Sequence, residues 1–299
     1  MADPLIILSP PHSFTSVAAA MLGQHPQLYA FPEVNLFVAE TMRERAGVLK
    51  RWAFSEHGLL RLVAELWEGE QNPRTIALAR RWIESRLDHA CVSVLRELAE
   101  RVEPRGVVEK SPMTVLNAEA MQRARRAFPG ARFLHLVRHP RTQGASLLRV
   151  GGAGAAQRLG GLDYSTPTPT MDPQKAWYTL HMNICTFLDT VPKEQQCRLQ
   201  GEELLADPDV HLARLAQWLG LRADAEALEE MKHPERSPYA AFGPLTARFG
   251  SGSRFLREPT LRAHAAEPQA SLKGPLAWRP DGVGFSSEVI QLAAEFGYR

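Results

Sequence analysis

The sequence predicts a three-layer α/β fold, with a central, mostly parallel sheet flanked by helices. Two observations carry that prediction. Short, largely apolar runs at residues 5–8 and 132–137 have the length and the weak alternation expected of strands buried on both faces. Each run is followed by a turn and then a helical pattern, and strands alternating with helices build parallel βαβ units. A chain of 299 residues can bury a substantial core, and residues 1–299 are read as one domain.

The first strand, Leu5-Ile6-Ile7-Leu8, gives way to the turn Ser9-Pro10-Pro11-His12-Ser13-Phe14. Residues 15–23 then read as a helix closed by Gly23, with His25-Pro26 beyond it. Asn72-Pro73 supplies an N-cap and an N1 proline for one long amphipathic helix to about residue 101. Residues 106–109 are a second short strand and 113–128 a helix. Residues 132–137 are the third strand and 140–150 its following helix. The Gly-, Pro- and Thr-rich stretch 151–170 is expected to be a mobile loop. Helix resumes over 173–190, residues 197–200 are a strand, and Asp207-Pro208 opens a helix that closes at Gly220. Residues 232–280, broken by proline and glycine, are too long for an idle connection and read as an irregular cover segment. A capped terminal helix runs from Ser286 to Phe296.

Composition narrows the function classes. The net charge of +2 gives no general attraction to nucleic acid, so any anion binding must be local. No run of about 18 apolar residues exists to span a membrane. Leu5–Leu8 is too short for a signal peptide and meets Pro10-Pro11 at once. Cys91, Cys185 and Cys197 are too few and too scattered for a disulfide framework or a zinc site. The expectation is a cytoplasmic protein with reduced thiols and no metal; the oligomeric state is left open.

Two places in the sequence suit an anion. A buried strand, a tight loop and a helix N-terminus direct N–H groups and a helix dipole outward. There His12, Ser13, Thr15 and Ser16 add side-chain donors. An ordinary helix cap is the alternative for Thr15 or Ser16. The loop lacks the G-x-x-x-x-G-K-[ST] pattern, which counts against a P-loop kinase. The second place is Arg138, at the end of a strand, with Ser146 two turns into the next helix. An arginine at the carboxyl edge of a parallel sheet suits a phosphate held by paired hydrogen bonds. Pairing with a carboxylate is the alternative.

The motifs together resemble a known family. Glu109-Lys110-Ser111-Pro112, then residues 128–141 reading F-P-G-A-R-F-L-H-L-V-R-H-P-R, then Ser146-Leu147-Leu148-Arg149 are similar to sulfotransferases that use 3′-phosphoadenosine 5′-phosphosulfate (PAPS). Met21-Leu22-Gly23-Gln24-His25-Pro26, Glu202 to Pro208 and Trp218-Leu219-Gly220-Leu221 extend the likeness over residues 4–221. It is closer to bacterial members and to the tyrosylprotein and heparan types than to the animal cytosolic type.

The resemblance implies a P-loop-like fold. It also implies transfer of a sulfuryl group from PAPS to a hydroxyl or amine of a small-molecule acceptor, leaving 3′,5′-ADP and needing no metal. It assigns Arg138 and Ser146 to the 3′-phosphate and residues 12–16 to the 5′-phosphosulfate end. Glu33 is implied as general base, and Lys110 and His12 as groups facing the transferring sulfuryl. Arg254, in the Gly250-Ser251-Gly252-Ser253-Arg254 stretch, is a further candidate for closing over the nucleotide. The first loop departs from the family's pattern twice: Phe14 stands where glycine allows a positive φ, and His12 stands where an arginine or lysine supplies fixed charge. A catalytically degenerate binding protein of the same fold is the alternative those departures raise.

Overall fold

The computed structural model of the chain describes residues 3–50, 52, 54–164, 170–262 and 270–299. The strands are β1 (Leu5–Leu8), β2 (Leu28–Ala30), β3 (Gly106–Glu109), β4 (Arg132–Val137), β5 (Leu162–Asp163), β6 (Thr170–Met171) and β7 (Gln196–Gln200). Five of them form one sheet in the order β2-β3-β1-β4-β7, with every pairing parallel. Strand β1 is central. Side chains alternate across a strand, so Ile6 and Leu8 enter the core on one face while Leu5 and Ile7 enter the core on the other.

The helices that cover the first face are α3 (His57–Glu68), α4 (Pro73–Glu84), α5 (Cys91–Glu100), α6 (Ala118–Ala127) and α8 (Pro173–Leu188). The second face is covered by α1 (Thr15–Gly23), α9 (Gly201–Ala206), α10 (Pro208–Leu219), α11 (Ala225–Glu230) and α12 (Ser253–Arg257). Helix α2 (Met42–Leu49) follows the loop after β2, α7 (Pro140–Arg158) follows β4, and α13 (Ser287–Glu295) closes the chain. Among the described residues no helix is long and apolar enough to cross a membrane.

Three expectations need correction. The long helix from residue 73 is broken at residues 85–90. There the carbonyls of Leu87 and His89 accept from the N–H groups of Arg43 and Met42, and Arg86 bridges the corner to Glu97 through two hydrogen bonds. The helix expected over 113–128 is a 3-10 turn, Pro112–Leu116, and then α6. The break falls at Asn117, whose side chain accepts the N–H of Ala120 and so begins a new helix. The expected mobile loop at 151–170 is helical as far as Arg158, and β5 and β6 then pair antiparallel. The glycines there alternate with alanines, good helix formers, and no proline occurs before Pro167. Of that segment, residues 165–169 lie outside the described residues, as do residues 263–269 of the 232–280 cover. Strand β2 carried no sequence signal; its three residues gain strand form only by register with β3.

His181 belongs to α8. It is fully buried with His135 of β4. Arginine can only donate, so Arg198 Nε donates to His135 Nδ1 at 3.3 Å and the His135 proton sits on Nε2, 2.9 Å from His181 Nδ1. Burial holds both rings neutral, His135 well below its ordinary range and His181 pushed down to about 3. The sign follows. The unfolded chain takes up protons as pH falls through about 6.5 and the folded chain does not, so stability is fully present above that pH and is lost on acidification toward about pH 3. Each such histidine contributes roughly 1.4 kcal/mol per pH unit in that window. Urea midpoints measured from pH 7.5 to 4.5 are expected to fall, and to fall less steeply in the variant carrying His135→Phe and His181→Phe. An unchanged slope would remove the pair from the account.

Candidate active site

Parallel register decides which residues meet. The carboxyl ends of β2, β3, β1 and β4 stand side by side in the sheet, and ligands of open α/β folds bind at that edge. The loop after β2 carries Glu33, the residue after β3 is Lys110, the loop after β1 holds residues 9–14, and the residue after β4 is Arg138. Four segments far apart in the chain are thus brought to one place.

The first loop turns back through two left-handed residues, His12 with φ 69° and Phe14 with φ 63°. A non-glycine residue held there costs on the order of 1–3 kcal/mol. Phe14 offsets the strain by burial. Its ring lies under the Arg138 guanidinium, 4.2 Å from centroid to Cζ, and its other side meets the first residue of α9, Gly201. A Cβ at Gly201 would sit 2.5 Å from Phe14 Cδ2, closer than real side chains approach. Gly201→Ala is therefore expected to cost about 1–3 kcal/mol by overpacking. A lowered thermal midpoint checks it, and its recovery in the Phe14→Gly, Gly201→Ala double variant ties the loss to this contact.

Arg138 is buried and serves the loop directly. Its Nη1 donates to the carbonyl of His12 at 2.6 Å, and Nε donates to Thr142 Oγ1 at 3.2 Å. Its own carbonyl accepts from Trp177 Nε1 at 2.9 Å. The next N–H, that of His139, donates to Glu202 Oε1 at 2.8 Å, and Tyr298 donates to the other oxygen of Glu202. Ser146 Oγ lies 3.4 Å from His12 Nδ1. Burial and the neighbouring Arg138 push His12 down to about 4, so its ring is neutral at pH 7. Ser13 Oγ is fully buried with no hydrogen-bond partner among the described residues, a polar atom left over in the loop.

Glu33 and Lys110 form an ion pair at 2.7 Å. Lys110 is 2% exposed and also donates to Ser16 Oγ at 3.1 Å, so it links the candidate base to the start of α1. It does not pair with Glu109. That carboxyl is fully buried, is pushed up to about 7 by burial, and accepts a very short hydrogen bond from Ser111. Ser16 Oγ also accepts from the N–H of Gly252, which brings in the 250–255 segment.

A cavity of about 300 Å³ results. Its walls include His12, Ser13, Phe14, Thr15, Ser16, Glu33, Arg138, Ser146 and Arg254, and Lys110 stands behind Glu33. Every site residue named from the sequence is thus at or next to one cavity. Among the described residues no group of three or more His, Cys, Asp or Glu side chains gathers to hold a metal.

A family model described as "Sulfotransferase family" matches residues 4–225. The chain belongs to the sulfotransferase family. Solved sulfotransferases share its fold. The sulfotransferase domain from the curacin biosynthetic pathway superposes with a TM-score of 0.78 at 22% identity, covering 100% of this chain and 99% of that one. The sulfotransferase domain from the Synechococcus PCC 7002 olefin synthase gives 0.75 at 24% identity, covering 100% and 97%. Sulfotransferase STF9 from Mycobacterium avium gives 0.51 at 15% identity, covering 99% and 76%. No match is found among curated proteins.

In this sulfotransferase the supporting residues Trp177, Gly201, Glu202 and Tyr298 were not singled out for the site by the sequence. Glu202 opens a family-like stretch and Gly201 stands just before it, which was their only signal. Trp177 and Tyr298 had none, because each reaches the site only through tertiary packing. The aromatic residues Phe37 and Trp67 pack in or against the core, while Phe54 is exposed.

Proposed function

We propose that the chain transfers the sulfuryl group of PAPS to a hydroxyl or amine of a small-molecule acceptor by in-line displacement. The observation that carries this reading is the shared cavity. The first loop, Arg138 and Ser146 line it together, with Arg138 and Ser146 each touching His12 of the loop, and Glu33, paired with Lys110, lines it as well. A bisphosphorylated adenosine needs two anion sites at one cavity, and Ser13 Oγ, buried with no partner among the described residues, is a donor at the first loop.

The acceptor O–H or N–H gives its proton to Glu33 as the acceptor atom bonds to sulfur. The bond between sulfur and the 5′-phosphate oxygen breaks, and 3′,5′-ADP leaves. When Glu33 takes the proton its charge is lost, and Lys110 is released from the ion pair just as charge builds on the leaving phosphate. His12 supplies an N–H rather than a fixed charge.

A thermal-shift screen tests the reading, followed by transfer from radiolabelled PAPS to an extract of the source cell. Stabilisation by 3′,5′-ADP and labelled product are expected. Stabilisation by ATP with magnesium in place of 3′,5′-ADP would favour a kinase. The neutral His12 and the strained Phe14 favour a second reading, nucleotide binding without turnover. It predicts stabilisation but no labelled product.

A further inference from the structure

We propose that Arg45 is a positioning residue for Glu33, acting through the main chain of the loop between β2 and α2. The inference rests on the reading of Glu33 as the base. Arg45 lies in α2 and is 1% exposed. A buried guanidinium is costly unless its donors are used. Here they are spent on main chain: Nε donates to the carbonyls of Val34 and Asn35, each at 3.1 Å, and Nη2 donates to Val34 at 2.7 Å. The carboxylate of Glu56 stands 4.0 Å off and is half-exposed. The guanidinium therefore holds the two residues that follow Glu33.

Four further contacts hold the same loop. Asn35 is left-handed, with φ 51°, and its N–H donates to Ser111 Oγ at 2.8 Å. Ser111 follows Lys110 in the chain, so this bond ties the loop to the strand end that carries the lysine. Asn35 Nδ2 donates to the carbonyl of Ser55 at 3.1 Å. The N–H of Glu33 donates to the carbonyl of Gly250 at 2.8 Å, and Gly58 of α3 packs on the Glu33 carbonyl with no room for a Cβ. The loop from residue 31 to 37 has no regular secondary structure of its own. Without Arg45 two consecutive carbonyls lose their buried donors and the left-handed corner loses one of its three anchors. Glu33 is then free to leave Lys110.

The test reads the Glu33–Lys110 pair itself. Unfolding midpoints are measured for the parent, Glu33→Gln, Lys110→Met and the double variant, and again in an Arg45→Lys background. In the parent background the two shifts are expected to be non-additive by about 2–4 °C. In the Arg45→Lys background they are expected to add. A residue that merely stabilised α2 would lower every midpoint and leave the coupling intact. Arg45→Gln, which keeps a side-chain donor in the same place but not the fork that reaches both carbonyls, gives the same loss of coupling if Arg45→Lys does not fold. Affinity for 3′,5′-ADP stays within about threefold in both variants, because Arg45 acts on the Glu33 loop and not on the phosphate sites. Coupling unchanged in both backgrounds overturns the proposal, as does a nucleotide affinity that falls in step with stability. The underlying reading fails separately: turnover of radiolabelled PAPS by Glu33→Gln at the parent rate would remove the base and leave the coupling result standing.

Discussion

Arg138→Ala is expected to abolish measurable binding of 3′,5′-ADP. The guanidinium is the fixed charge at the end of β4, it lines the cavity, and it is buried. Truncating one partner of a buried, hydrogen-bonded charge pair costs about 2–5 kcal/mol, or roughly 30- to 5,000-fold in affinity. The loss is compounded locally, because the same side chain holds the His12 carbonyl and covers the Phe14 ring. Arg138→Ala therefore also loosens the left-handed first loop, and its thermal midpoint falls. Arg138→Lys separates the two effects. It keeps the charge but gives up the planar fork and its stack on the ring, so it recovers part of the affinity and little of the loop's order. Titration calorimetry measures both. Equal nucleotide affinity in the parent and in Arg138→Ala would remove the second anion site.

The second large effect is the converse. If Glu33 is the base, as proposed, Glu33→Gln is expected to leave nucleotide affinity within about threefold and to lower kcat by about 10²- to 10⁴-fold, the ordinary range for a general base. Glutamine keeps the shape of the side chain and an oxygen for Lys110 to donate to, so the loop is expected to stay in place. What it lacks is a lone pair basic enough to take the acceptor proton. Lowered kcat at unchanged 3′,5′-ADP affinity is the signature. A parallel fall of both would show that Glu33 acts on the nucleotide rather than on the acceptor.

Much of the sheet was legible because buried parallel strands advertise themselves: Leu5–Leu8 and Arg132–Val137 are short, largely apolar runs, each followed by a turn and a helix. Leu28–Ala30 was not, since three residues hold no period and the register of a neighbour makes them a strand. The helix break at residues 85–90 was invisible for the same reason. Its carbonyls are used by residues 42 and 43, a competition no local pattern records. In the site, Arg138 and Ser146 stood out by chemistry and spacing on one strand–helix unit. Glu33 had only its resemblance, because a carboxylate in an irregular loop looks like any surface acid until Lys110 is placed 2.7 Å away. Arg45 could not be seen at all. Its partners are main-chain carbonyls, which every residue has.

The slot shared by Phe14 and Gly201 has an evolutionary consequence. The two positions lie 187 residues apart yet cannot drift independently, since one fills the volume that the other leaves empty. In a lineage where position 14 is glycine, position 201 is expected to be free of the constraint for smallness and to admit larger side chains. Where the ring persists, any such change is purged first. Covariation between these two columns, small against large in opposite senses, is the record this contact should leave among its descendants.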